Sequence, residues 1–176
     1  FLIGGPNSWV AVDDDNLSVL NKWTHIVGKY DGNSLYIYVD GIEKETKVCT
    51  FTVNTIKNLR LGGQTDANYP FQGKLYDFRY YNYALTENEI QEVISHKTLG
   101  TETLHLPLTR TDTETTFPNT LNCLPDFTGS NHLTIPYTPH LNTARFAISL
   151  WINVTNWVYY QRPFESFSQS GSDRYG

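Results

Sequence analysis

The chain has no methionine, only two cysteines among its 176 residues, and few charges, with Asp, Glu, Lys and Arg making up 18%. Without a methionine, Phe1 is not a translation start; with no signal-peptide pattern visible either, the sequence reads as a mature or excised piece. No apolar run approaches the ~20 residues that a membrane helix needs, so no membrane span is expected. Basic residues are too few and too scattered for a phosphate-binding surface, and the net charge of -5 argues against nucleic acid as a partner. Two cysteines are too few for a structural zinc site. Cys49 and Cys123, far apart in sequence, are expected to form one disulfide in a secreted protein; the other reading is two buried thiols.

Catalytic patterns are missing too. The five histidines, His25, His96, His105, His132 and His140, show no metal-ligand spacing. No Ser/His/Asp order suggests a nucleophile, and no glycine-rich loop could cradle phosphate. Glu43 and Glu45 share a strand face, but Lys44 and Lys47 beside them mark a solvated edge strand rather than a glycosidase pair. The chain is read as non-enzymatic.

What is abundant is aromatic: 14% of residues, with Tyr 12, Phe 9 and Trp 4. An aromatic excess with few charges favours β-structure, and a chain of this length suits one domain burying roughly 70% of its unfolded surface. Residues 23–48 read as a meander. Trp23 to Tyr30 is strand-like, Asp31-Gly32-Asn33 turns the chain, and Leu35, Ile37 and Val39 alternate with Tyr36 and Tyr38. Asp40-Gly41 predicts a two-residue hairpin turn, because both residue types tolerate positive φ. Further strands are expected at Asn58 to Leu61, Gly73 to Tyr81, in "TETLHLPL", at Leu133 to Ile135 and at Arg145 to Val154. Thr86 and Glu89 form a capping box before Ile90, Val93 and Ile94, which predicts one short helix. Many short strands between regular turn signals imply an all-β fold, a jelly-roll β-sandwich of two antiparallel sheets.

"KWTHIVGKYDGNSLYIYVDGIE" resembles the hairpin of the laminin G-like jelly roll in the concanavalin A-like lectin/glucanase superfamily: Trp-x-His, then Tyr-Asp-Gly, then Val-Asp-Gly. "LRLGGQTDANYPFQGKLYDFRYYNYALTENEI" is similar to the stretch that follows it there, with Leu-x-Leu-Gly-Gly, Phe-x-Gly, an Asp-x-Arg strand and a closing helix. "LHLPL", "DFTGSNHLTIP" and "RFAISLWINV" resemble strands that normally precede this hairpin, so the halves stand in reversed order. Residues 1–100 then correspond to the C-terminal half of a jelly roll, and residues 101–176 to an N-terminal half that completes the same domain or a neighbouring copy's. The two ends both read as falling within strands. A circular permutant, a slice of a tandem array, and a subunit sharing strands with its neighbours all remain open. The array or filament reading, with copies of the chain joined head to tail as partners, is preferred.

The resemblance implies an extracellular or cell-surface module with calcium in rim loops. Asp13, Asp14, Asp15 and Asn16 are the densest oxygen cluster, suited to a hard cation, though a bare acidic turn has the same composition. Tyr76-Asp77 departs from the pair of adjacent acids often found after Phe-x-Gly in the family. His25 matches a structural position. Trp9, Tyr69, Trp157, Tyr159 and Tyr160 are candidate carbohydrate platforms, which makes glycans possible partners; core packing is the rival role for each. Asn16 and Asn153 open N-glycosylation sequons. The expected function is a structural or adhesion module, with a lectin-type carbohydrate-binding module as the alternative.

Overall fold

The alternation read at Leu35 to Val39 becomes one strand of a seven-stranded antiparallel sheet in the computed structural model of the chain. The structure describes residues 2–5, 8–12, 20–50, 58–62, 71–108, 126–128, 132–136, 138–141, 143–156 and 163–166. A hairpin of β1 (Leu2–Gly5) and β2 (Ser8–Ala11) opens the chain. It is followed by the meander β3 (Thr24–Tyr30), β4 (Ser34–Val39) and β5 (Ile42–Val48). Asp40 and Gly41 both take positive φ, 49° and 77°, as the hairpin turn requires. At the other turn Asp31 acts as a local cap: its Oδ1 accepts from the backbone N–H groups of Asn33 and Ser34 at 2.8 and 2.7 Å.

β6 (Leu59–Leu61) and the ten-residue β7 (Gln72–Tyr81) come next, then α1 (Glu87–Ile94). The Thr86 hydroxyl accepts from the Glu89 amide while the Glu89 carboxylate accepts from the Thr86 amide, so the capping box forms as the sequence predicts. The later part of the chain supplies β8 (Leu104–Leu106), β9 (Asp126–Thr128), β10 (Leu133–Ile135), β11 (Phe146–Val154) and β12 (Phe164–Ser166), with a 3-10 turn at Pro139–Leu141.

The large sheet runs β5-β4-β3-β11-β7-β8, with β9 also on β7, and a three-stranded sheet runs β10-β6-β12. The fold is thus all-β, a jelly-roll sandwich with one short helix. Phe146, Ile148, Leu150 and Ile152 of β11 face the inter-sheet core with Leu35, Leu59, Leu61, Leu75 and Phe78. The opposite face is not solvated, contrary to a simple in-out reading. Ala147 packs there with Val27, Tyr38 and Tyr81 beneath Leu85, Ile90 and Val93 of the helix segment. β11 is therefore covered on both faces and bonded on both edges. Where the two sheets meet, Gly62 admits the Phe127 ring: a Cβ at Gly62 would stand 1.8 Å from it.

Candidate functional site

The groups with the strongest chemistry gather on the helix-covered face, around a bulge in β7. Ser149 pairs with Arg79 and Trp151 with Tyr76, so β7 carries one extra residue between them. Asp77 sits in that bulge with φ of 51°, a left-handed conformation that Asp tolerates better than most residues. The bulge turns its carboxylate into the sheet face rather than outward. Arg79 grips it in a two-pronged bond, Nε to Oδ1 and Nη2 to Oδ2, both 2.8 Å, and both side chains are essentially sealed from water.

The surroundings complete the set. His105 of β8 donates through Nε2 to Asp77 Oδ1 at 2.6 Å, and His96 Nδ1 lies 3.7 Å from Oδ2. Arg79 Nη1 donates to the Lys97 carbonyl at 2.6 Å and to Glu102 Oε1 at 3.4 Å. Glu102 also accepts from the Leu99 amide at 2.9 Å. Burial works against the charge on Asp77. Hydrogen bonds from His105 and Arg79, with the guanidinium charge, outweigh it and hold the carboxyl below its usual range. Burial likewise opposes the Arg79 cation, and Asp77 overrides it, so Arg79 is raised.

His25 of β3 lies on the same face, its Nε2 2.8 Å from Ser149 Oγ. Its Nδ1 is buried without a protein partner. Desolvation dominates there and lowers the imidazole to about 4, despite the attraction of Asp77 and Asp40. The Ser149–His25 contact is therefore no nucleophilic pair: both residues are only 1% exposed. A run of rings closes the cluster. Trp23 meets Tyr76 edge-on at 6.4 Å, Tyr76 meets His96 at 5.9 Å, and His96 stacks on Trp151 at 5.2 Å. Trp23 and Trp151 keep part of their surface exposed.

The hairpin motif is committed to structure in the same way. Asp40 accepts from the His25 amide at 2.9 Å, tying the Val-Asp-Gly turn back to the Trp-x-His strand. His25 thus has the structural place expected of it. In the sequence, Asp77 stands out as a departure from an acidic pair and, with Arg79, as the Asp-x-Arg strand motif. That motif marks the spacing but not the buried ion pair the two residues form.

The other anticipated sites fall mostly elsewhere. Asp13, Asp14, Asp15 and Asn16, the calcium candidates, lie outside the described residues, as do Tyr69, Trp157, Tyr159, Tyr160 and Cys123. Among the described residues no group of three or more His, Cys, Asp or Glu is placed to hold a metal ion. Trp9 lies in β2 opposite Gly4. Asn153 is half-buried near the end of β11, in register with Lys74. Cys49 is a buried free thiol, and the disulfide expected between it and Cys123 has its second member outside the described residues. Cys49 belongs to the apolar core cluster, and burial raises the thiol above its usual range, as for an inert core cysteine. Glu43 and Glu45 stand on the exposed edge strand β5.

This geometry defines a β-sandwich module whose motif residues hold the sheet together. Residues 1–91, just over half of the chain, match the laminin G family model described as the concanavalin A-like lectin/glucanases superfamily, and the chain belongs to that family. Mouse (Mus musculus) usherin is 28% identical over 86 residues, an overlap covering 44% of this chain and 2% of usherin. The chain thus spans a small fraction of that relative's length. No solved structure matches it significantly.

Proposed function

We propose that the chain is a non-enzymatic, extracellular structural or adhesion module, a repeating unit of a tandem array or head-to-tail filament. The observation that carries the non-enzymatic reading is the commitment of the buried acids and bases. Asp77, Arg79, His25 and His105 are bonded within the fold, and the first three are sealed from solvent. A general acid or base must reach a substrate proton, and Asp77, Arg79 and His25 are held by partners inside the fold. The repeating unit rests on the reversed order of the halves in the sequence; their pairing within one chain suits a permuted monomer equally well. Strands from residues 101–176 enter the sheets built by residues 1–100 and do not stand beside them as a second domain. Electron microscopy of the native material tests this: linear assemblies support it, and isolated globules at high concentration contradict it.

A lectin-type reading is favoured by the partly exposed Trp23 and Trp151 at the two ends of the run of rings through Tyr76 and His96, since aromatic faces bind sugars. Trp9, Tyr69, Trp157, Tyr159 and Tyr160 are the sequence's own candidates for the same role. Calcium held by Asp13, Asp14, Asp15 and Asn16, and glycans on Asn16 and Asn153, belong to the same extracellular reading. A glycan array separates the lectin reading from the structural one, and chromogenic glycosides test the absence of catalysis.

A further inference from the structure

The strand pairing is divided in an unusual way. Among the described residues, each strand of the later half pairs only with strands of the earlier half. β8 and β9 bond to β7, β10 and β12 to β6, and β11 to β3 and β7. None of β8 to β12 pairs with another of that set. Conversely, β3 and β7 do not pair with each other. They flank β11, whose nine residues fill a slot one strand wide, on the order of 10 Å between the flanking strands. Residues 1–100 therefore build a sheet with its central strand left open, and residues 101–176 supply strands with no ladder of their own. Unpaired backbone on both sides of a buried slot is costly until it is filled.

The link between the halves is short and outward. After Ser95 caps α1, the chain reaches β8 through 96–103, in which Thr98, Gly100 and Thr101 are exposed. We infer that residues 101–176 are exchangeable between copies of this chain, entering a second copy's 1–100 half as β8 to β12 through opening at 98–101. The occupant is specified by the slot itself. It must present an inward row like Phe146, Ile148, Leu150 and Ile152 to one core, with small Ala147 beneath the helix and Ser149 against His25. It must also bring His105 and Glu102 to the buried Asp77–Arg79 pair. Another copy's 101–176 segment meets every one of these demands, because the contacts are identical. Exchange then costs only what the hinge and the loss of free copies impose, and rising concentration favours it. This deepens the filament reading by naming the element that joins copies.

The test uses two full-length single variants, Lys74→Cys and Asn153→Cys, at half-exposed positions in register across β7 and β11. The two are unfolded together under reducing conditions, refolded over a range of concentrations, oxidised, and mapped by mass spectrometry. Mapping separates the new bond from any involving Cys49 or Cys123. The expected result is a 74–153 disulfide joining two chains, its fraction rising with refolding concentration. The result that overturns the proposal is no 74–153 bond in the mixture at any concentration, while a protein carrying both substitutions forms it within single chains. If either substitution prevents folding, Arg60→Cys and Thr134→Cys, in register across β6 and β10 and away from full burial, read the same exchange with the same two outcomes. Closed dimers carrying the bond would uphold exchange and end the filament reading. Filaments without it would do the reverse.

Discussion

Replacing Asp77 by Asn should cost this fold more than any change to its surface charges. Asparagine keeps the size and tolerates the left-handed backbone at φ 51°, so the substitution removes charge with little added strain. What remains is a guanidinium 0% exposed, facing an amide that can satisfy only part of its fork. Removing one partner of a buried ion pair typically costs about 3–5 kcal/mol, because the survivor is left charged and desolvated. The His105 contact at 2.6 Å loses its ionised acceptor as well. For a domain of this size each kcal/mol moves Tm by roughly 2–4 °C, so a fall of about 6–20 °C is expected. Lys97–Glu92, a 2.6 Å pair with both side chains well exposed, is the internal control, and Glu92→Gln should cost no more than about 1 kcal/mol. Urea unfolding followed by circular dichroism reads both variants. An Asp77→Asn protein within about 1 kcal/mol of wild type would refute the argument that this pair clamps the sheet.

The histidine beneath the helix gives a pH dependence of definite sign. His25 is lowered to about 4 in the fold, so on acidification the unfolded chain takes up the proton first, from about pH 6.5. Stability should fall between about pH 6.5 and 4 by on the order of 3 kcal/mol, and His25→Gln should flatten that limb; an unchanged slope contradicts the assignment. Asp77, held below its usual range, adds stability that is lost only at lower pH, as acid titrates it in the fold. Gly62→Ala should abolish cooperative unfolding or sharply lower Tm, since its Cβ would overlap the Phe127 ring; Phe127→Ala in the same background should recover part of the loss. Thr86→Ala should cost about 1 kcal/mol through loss of the cap on α1, read by thermal unfolding. If the loop of Asp13 to Asn16 binds calcium, a chelator should lower Tm, and identical melting curves with and without calcium would end that proposal.

The parts of the fold that sequence exposes most readily are those with a strict local code. The alternation at Leu35 to Val39, the Asp40-Gly41 turn and the Thr86–Glu89 cap each depend on a few adjacent residues, and each forms where expected. β11 shows the limit of that code. Its in-out alternation is real, but Ala147 is buried beneath the helix segment and Ser149 against His25, on a face that periodicity alone assigns to solvent. β12 carries no alternation long enough to reveal itself, and its three residues gain their place from pairing with β6. The ion pair was hidden for a further reason. Strand periodicity puts Asp77 and Arg79 on one face, but only the bulge and the distant His105 and Glu102 make that face a sealed site. Cys49 has a role that spacing does not show: it packs in the apolar core, where a buried thiol needs no partner.

The central claim is that the later half of the chain supplies the middle strand of the large sheet. Amide hydrogen exchange tests it most directly. The amides of 147–152, bonded between β3 and β7, should exchange only with global unfolding, while those of the exposed edge strand Ile42–Val48 exchange far sooner. If 147–152 exchanged as fast as β5 under native conditions, β11 would not be the core strand of this sandwich, and the account built on it would fall.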